Sequence, residues 1–286
     1  MAVLTLLCAI WGLTQVSIKV ANSGISPVLQ AGLRSAGSAL LLWGWSALTG
    51  VPLFRRDGSL RYGLRIAALF AGEFVFLYWG LTYTTAARGI LFVYLSPFVV
   101  ALGAHFFVPG DRLRRLTVVG LLCAFAGIAL AFADGLRLPT RRELVGDVME
   151  LVAAVLWGAT TVVIKASRHG RLSPNKTLFY QLAGSAVMLL ALSAIVREPG
   201  VTHATPLVIG SLLYQIVVVA FASYLTWFWL LSRYPASALA AFSFLTPLFG
   251  MMAGGLLLGE RISGALAGAM LLVALGIFLV NRAPGP

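Results

Sequence analysis

Charge is what this chain has least of: Asp, Glu, Lys and Arg together make up 10% of its 286 residues, against roughly 25% in a soluble domain. A water-facing surface cannot be built from so few polar groups, which excludes the ordinary globular classes. Only 9 residues are acidic, and the 3 histidines, His105, His169 and His203, show no ligand spacing. Cysteine is scarcer still. Cys8 and Cys123 both sit inside apolar runs, which excludes a disulfide scaffold and a thiolate metal site. A phosphate-cradling glycine loop followed by Lys-Ser/Thr is absent, as is a nucleophile paired with a base, so ATP-driven work and intramembrane catalysis are not expected. No catalytic residue, metal or cofactor is assigned, and repeated filter-like charged motifs of an ion channel are missing too.

What is present is grease. Apolar residues make up 60% of the chain and its mean hydropathy is +0.94. A bilayer-crossing helix needs roughly 20 such residues, and apolar runs of that length fall at 2–21, 29–49, 63–83, 86–108, 114–134, 147–167, 177–196, 207–231, 236–258 and 263–281. Turn formers separate them, among them Asn22-Ser23-Gly24, Pro109-Gly110-Asp111 and Ser173-Pro174-Asn175. The runs are twice the length of a barrel strand and do not alternate, so an all-α membrane protein with ten transmembrane helices is expected. The first run begins at once, without a basic n-region or a small-residue cleavage site, and reads as a span rather than a removable signal.

The net charge of +12 would suggest nucleic acid in a soluble protein. Here the cations lie in short loops, as in Leu53-Phe54-Arg55-Arg56 and Arg112-Leu113-Arg114-Arg115, the pattern of cytoplasmic loops at an anionic leaflet. The partner is the lipid bilayer, and nucleic acid is not expected. With the N-terminus inside, twelve Lys/Arg fall in inner segments and seven in outer ones, which puts both termini in the cytoplasm; the cluster Arg137, Arg141 and Arg142 pulls the other way.

The chain also repeats itself. Trp11-Gly-Leu-Thr-Gln-Val-Ser-Ile-Lys19 matches Trp157-Gly-Ala-Thr-Thr-Val-Val-Ile-Lys165 at six of nine positions. The same order continues in Ser26-Pro27 and Ser173-Pro174, Ala36-Gly37-Ser38-Ala39 and Ala183-Gly184-Ser185-Ala186, Leu95-Ser96-Pro97 and Leu245-Thr246-Pro247, and Gly110-Asp111-Arg112 and Gly259-Glu260-Arg261, all at offsets of 146 to 150. Two five-helix repeats are therefore expected, 1–138 and 139–286. Five is odd, so the second copy enters the membrane from the opposite face, the inverted topology on which alternating access about a midplane cavity rests.

These residues resemble the drug/metabolite transporter superfamily, in particular its ten-span, two-repeat EamA-type exporters: the duplicated Trp-Gly-x-Thr start, the Ser/Thr-Pro in the fourth span of each half and the Gly-Asp/Glu-Arg that follows it. The likeness covers nearly the whole chain. Within the superfamily the chain is most similar to bacterial exporters of aromatic amino acids. The resemblance implies eight helices around a central cavity, spans five and ten at the periphery, and an inner-membrane exporter of aromatic or hydrophobic neutral amino acids; the alternative is a drug exporter for lipophilic cations. Monomer and homodimer both remain open, since Gly250-x-x-x-Gly254 and Gly264-x-x-x-Gly268 are close-packing surfaces of general use.

Candidate substrate contacts follow from depth and chemistry. Trp11, Tyr78, Tyr94 and Trp157 lie about 12 Å or more from a span end, too deep for an interfacial belt, and with Trp227 they offer flat apolar faces with a polar tip. Gln15, Gln181 and Gln215 are hydrogen-bonding partners in the spans, where helix-to-helix bonding is the competing role. Glu73 lies near the bilayer centre, where an unpaired charge costs at least ~2.5 kcal/mol, and Arg34 on the neighbouring span differs in depth by roughly 6 Å. The pair is either a proton-coupling carboxylate with its partner or a structural ion pair. Pro97 and Pro247 occupy equivalent mid-span positions, each removing a backbone hydrogen bond, and read as paired hinges.

Overall fold

A computed structural model describes residues 2–136, 138–166, 173–258 and 265–282. Among these the chain is helical throughout, without a strand; one isolated antiparallel bridge joins Ile25 and Val201. The helices are α1 Ala2–Ala21, α2 Pro27–Leu48, α3 Leu60–Tyr83, α4 Ala86–Val93, α5 Ser96–Phe107, α6 Arg115–Ala131, α7 Arg141–Ala166, α8 Pro174–Ile195, α9 Pro206–Tyr214, α10 Tyr224–Arg233, α11 Ala236–Phe242, α12 Thr246–Leu258 and α13 Leu266–Arg282. Between α9 and α10 the residues Gln215–Ser223 form π-helical turns. Seven apolar helical runs are long enough to cross a bilayer: Ala2–Ala21, Leu60–Tyr83, Arg88–Phe107, Arg141–Ala166, Pro174–Ile195, Pro206–Arg233 and Ala236–Ala253. α6 and α13 are apolar but only 17 residues each, about 26 Å of rise against a ~30 Å hydrocarbon core. α2 has the length, with Gln30, Arg34 and three serines among its residues.

Local sequence sets the helix starts. Ser26-Pro27, Ser173-Pro174 and Thr205-Pro206 place proline at the first helical position, where its missing N–H costs nothing. The hydroxyls of Ser173 and Thr205 accept from the amides of Lys176 and Val208 at 3.2 and 3.3 Å. The ends of α2 and α8 match as well. Gly50 (φ 70) and Arg197 (φ 54) take the left-handed cap conformation, and the amides of Val51 and Glu198 reach back to the carbonyls of Ser46 and Ser193.

The helices gather into two compact units that do not follow chain order: one of 1–13, 76–166 and 234–286, the other of 14–75 and 167–233. In the second unit α2 packs antiparallel to α8. A Cβ on Gly32 would meet Leu190 at 2.7 Å, and at the other end the Asn175 amide donates to the Ser46 hydroxyl at 3.0 Å. The first part of α3 runs parallel to α8, with Gly63 against Tyr180 and Ala67 against Gly184. In the first unit α6 and α13 cross antiparallel with backbones nearly touching: a Cβ on Gly120 would lie 2.6 Å from the Gly276 carbonyl, and Gly127 meets Ala269. α5 runs parallel to α7, Gly158 against Val99 and Gly103 against Val162.

Polar loops tie these ends together. Glu198 accepts the first amides of α2, Val28 and Leu29, at 3.1 and 2.8 Å, and the Ser193 hydroxyl at 2.7 Å. Lys176, in the first turn of α8, donates to Asp57 and to the Arg55 carbonyl, each at 2.7 Å. With the Ser59 hydroxyl and amide also donating to Asp57, this holds its carboxyl well below the usual carboxylate range. In the first unit Lys165 donates to the Tyr234 carbonyl at 2.7 Å, and Asp111 accepts from the Ser237 amide and hydroxyl. Lys165 therefore fastens the chain between α10 and α11 to the end of α7.

Candidate functional site

The polar residues of the second unit converge. Arg34 is 1% exposed, and its guanidinium carbon stands 4.2 Å from the centre of the Phe74 ring. Phe70 meets Phe74 edge-on at 4.8 Å between centroids and Tyr224 at 6.2 Å. One helical turn from Arg34, the Gln30 amide donates to the Gln215 carbonyl oxygen at 2.9 Å. Gln215 opens the π-helical turns, and the carbonyl of the next residue, Ile216, accepts from the Ser38 hydroxyl at 2.9 Å. Such turns are rare and concentrate at functional sites.

This group is under-satisfied. Nε and Nη2 of Arg34, Oε2 of Glu73, the Ser35 hydroxyl, Oε1 of Gln181 and Nε2 of Gln215 are buried without a hydrogen-bond partner. Glu73 sits within electrostatic reach of Arg34, yet no direct ion pair joins them among the described residues. Arg34 faces the Phe74 ring instead. A buried cation with free donors, a nearby carboxylate and three aromatic rings is chemically complementary to a group carrying both charges and an apolar body.

The other expected contacts divide between the units. Gln181, Gln215 and Trp227 belong to the second, where all three are buried. Trp11, Tyr78, Tyr94 and Trp157 belong to the first. Tyr78 is buried, the other three are half-buried, and Tyr94 lies 6.4 Å from Phe244 between ring centres. The Gln15 side chain lies outside the described residues. Trp79, Trp229 and Tyr83 face outward, as lipid-facing aromatics do.

Pro97 and Pro247 each stand near the start of a helix. Pro97 is the second residue of α5, after helical bonding lapses at Tyr94-Leu95; Pro247 is the second of α12, after a 3-10 turn at Ser243–Leu245. Both runs depart from regular α-helix just before the proline, at equivalent positions. Cys8, deep in α1, donates to the Phe242 carbonyl at 3.2 Å in the turn before that break. Sequence reasoning had not singled out Gln30, whose partner Gln215 it had, because one amide in a serine- and alanine-rich run carries no periodic signal.

Residues 1–133 and 144–282 match the EamA-like transporter family. The chain is 31% identical over 288 residues to a protein of Salmonella typhimurium named "Probable amino-acid metabolite efflux pump", covering 96% of this chain and 92% of that one. It is 26% identical over 271 residues to an uncharacterized transporter of Bacillus subtilis, covering 94% and 92%. One crystal structure shares the fold with a TM-score of 0.84 at 20% identity, over 96% of this chain and 94% of that one.

Proposed function

Because the chain belongs to the EamA-like transporter family, we propose that it exports amino acids, aromatic or hydrophobic neutral ones, across the inner membrane by alternating access. The observation that carries the substrate class is Arg34: a fully buried guanidinium with two unpartnered nitrogens, over Phe74 and near Glu73. A substrate carboxylate satisfies those nitrogens, its ammonium group answers Glu73, and its side chain lies on Phe70, Phe74 and Tyr224. The name of the Salmonella relative points the same way. A lipophilic cation fits poorly, because Arg34 would repel it with no hydrogen-bonded anion to offset that charge.

The mechanism rests on reading 1–138 and 139–286 as inverted five-helix repeats with both termini in the cytoplasm. Support comes from helix directions. α2 and α8 are equivalent in the two repeats and antiparallel, as are α6 and α13, which is what inversion requires of paired copies. α5 with α7, and α3 with α8, are parallel, as ten alternating crossings demand. Each loop contact, Asp57 with Lys176, Glu198 with α2, and Lys165 with Tyr234, joins ends that the same ten crossings would put on one face. The breaks before Pro97 and Pro247 then serve as the moving points of spans four and nine.

Liposomes containing only the purified protein test this. Labelled phenylalanine or tryptophan is expected to exchange across the membrane and to be competed by unlabelled aromatic amino acids. Competition by lipophilic cations alone would overturn the substrate class.

A further inference from the structure

Three acids line one face of α7 at i, i+4 and i+7: Glu143, Asp147 and Glu150. The first two are engaged. Glu143 accepts the Thr140 amide at 2.7 Å, and its own amide donates back to the Thr140 hydroxyl, a capping box. Asp147 accepts from Arg88 Nε at 3.2 and 3.1 Å, from Arg88 Nη2, and from the Thr84 hydroxyl at 2.7 Å. Glu150, one turn further into the span, is 0% exposed, and neither of its carboxyl oxygens has a hydrogen-bond partner.

The surrounding backbone is shaped around that carboxyl. A Cβ on Gly80 of α3 would lie 2.7 Å from Glu150 Oε1, and a Cβ on Gly89 of α4 would lie 3.6 Å from the carboxyl carbon. Two glycines on different helices leave room for one acid. Among the other titratable groups on these elements, Arg88 on α4 is held by Asp147, Tyr83 of α3 lies beneath Arg142 of α7, Tyr78 is buried, Lys165 at the far end of α7 donates to the Tyr234 carbonyl, and Arg61, Tyr62, Arg65 and Glu73 stand on the earlier part of α3, which belongs to the second unit. Glu150 therefore has an anion one turn away and no cation in contact. An ionised carboxylate there would be desolvated without compensation, so the nest accommodates the neutral acid.

Resting on the exporter reading above, we propose that Glu150 carries the proton whose movement drives transport, so that substrate leaves in exchange for a proton entering. In one state the carboxyl oxygen binds a proton within the glycine nest. In the other the proton departs to solvent, and the carboxylate left behind takes Arg88, one turn away, from Asp147. Arg88 thus alternates between two carboxylates on one face of α7, and the proton decides which.

The test uses the whole purified chain in liposomes with the membrane potential clamped. In acid-inside liposomes the wild type accumulates labelled phenylalanine as protons leave, about tenfold per pH unit for one proton per substrate. Glu150→Gln reproduces the neutral acid, the form that returns without substrate: accumulation falls to the outside level, and exchange of labelled for unlabelled substrate at equal pH, which runs through the deprotonated form, falls with it. Glu150→Asp keeps a titratable group and retains accumulation with a displaced pH profile. Accumulation by Glu150→Gln equal to wild type overturns the proposal, and so does an unshifted profile in Glu150→Asp if the glutamine variant fails to fold. Wild-type exchange that ignores the pH gradient also overturns it while leaving the exporter reading intact, whereas absence of amino-acid exchange in the wild type defeats that reading itself.

Discussion

Replacing Arg34 with Met separates a functional guanidinium from a structural one. The two side chains are close in volume, so packing in the 1%-exposed site is kept. Arg34 gains about 2 kcal/mol from the Phe74 ring beneath it. Against this, its two unpartnered buried donors cost about 1–3 kcal/mol each, and buried charges replaced by apolar isosteres are often neutral or stabilising by ~1–4 kcal/mol. The unfolding midpoint of Arg34→Met in detergent micelles is therefore expected to stay level or rise. Binding moves the other way. Two charge-assisted hydrogen bonds to a substrate carboxylate, about 1.5–3 kcal/mol each, correspond to a loss of roughly a hundredfold or more in affinity. Titration calorimetry with phenylalanine reads this, and Arg34→Lys should not rescue it, since an ammonium lacks the planar fork. A destabilised Arg34→Met chain that still binds substrate at wild-type affinity would refute the reasoning.

Glu198→Gln removes the charge that caps α2 through Val28 and Leu29 and is expected to cost about 1–2 kcal/mol in chemical unfolding; no change would mean that the cap is incidental. Gly276→Leu drives a side chain towards the Gly120 carbonyl, 2.4 Å from where its Cβ would stand. It should lower stability by about 1–3 kcal/mol or more in a thermal melt, and an unchanged melt would contradict the close crossing of α6 and α13. Asp57 is held below its ordinary range by Lys176 and Ser59. Its contribution is therefore present above the unfolded value near ~4 and lost as pH falls below it. The slope of stability against pH in that acid window should flatten in Asp57→Asn, and an identical slope would exclude the latch. Pro97→Ala combined with Pro247→Ala should slow exchange while the fold survives by circular dichroism; full exchange would make the two breaks static.

Much of this was legible in the sequence because lipid enforces long apolar runs and duplication repeats its own signals. The starts of α2 and α8 follow from Ser-Pro, and Arg34 announced itself as a cation inside a span. Two kinds of feature were not legible. The interruption at Tyr94-Leu95 and the π-helical turns from Gln215 arise from packing and from where freed carbonyls find partners, such as Ser38 for Ile216, which no local propensity encodes. Glu150 was hidden differently. It follows Arg141, Arg142, Glu143 and Asp147 and reads as the last of a polar helix end, until glycines distant in sequence close over it. Depth counting likewise put Arg34 and Glu73 within roughly 6 Å of each other in depth but could not foresee that the guanidinium would choose the Phe74 ring.

Thr49 and Val196 are equivalent residues, exposed at the ends of α2 and α8. Single cysteines at these two positions, in a chain whose Cys8 and Cys123 are replaced by alanine, can be labelled in intact cells with a membrane-impermeant maleimide. The inverted-repeat account predicts that Val196→Cys reacts from outside and Thr49→Cys only after the membrane is opened. Labelling of both from the same side would contradict it.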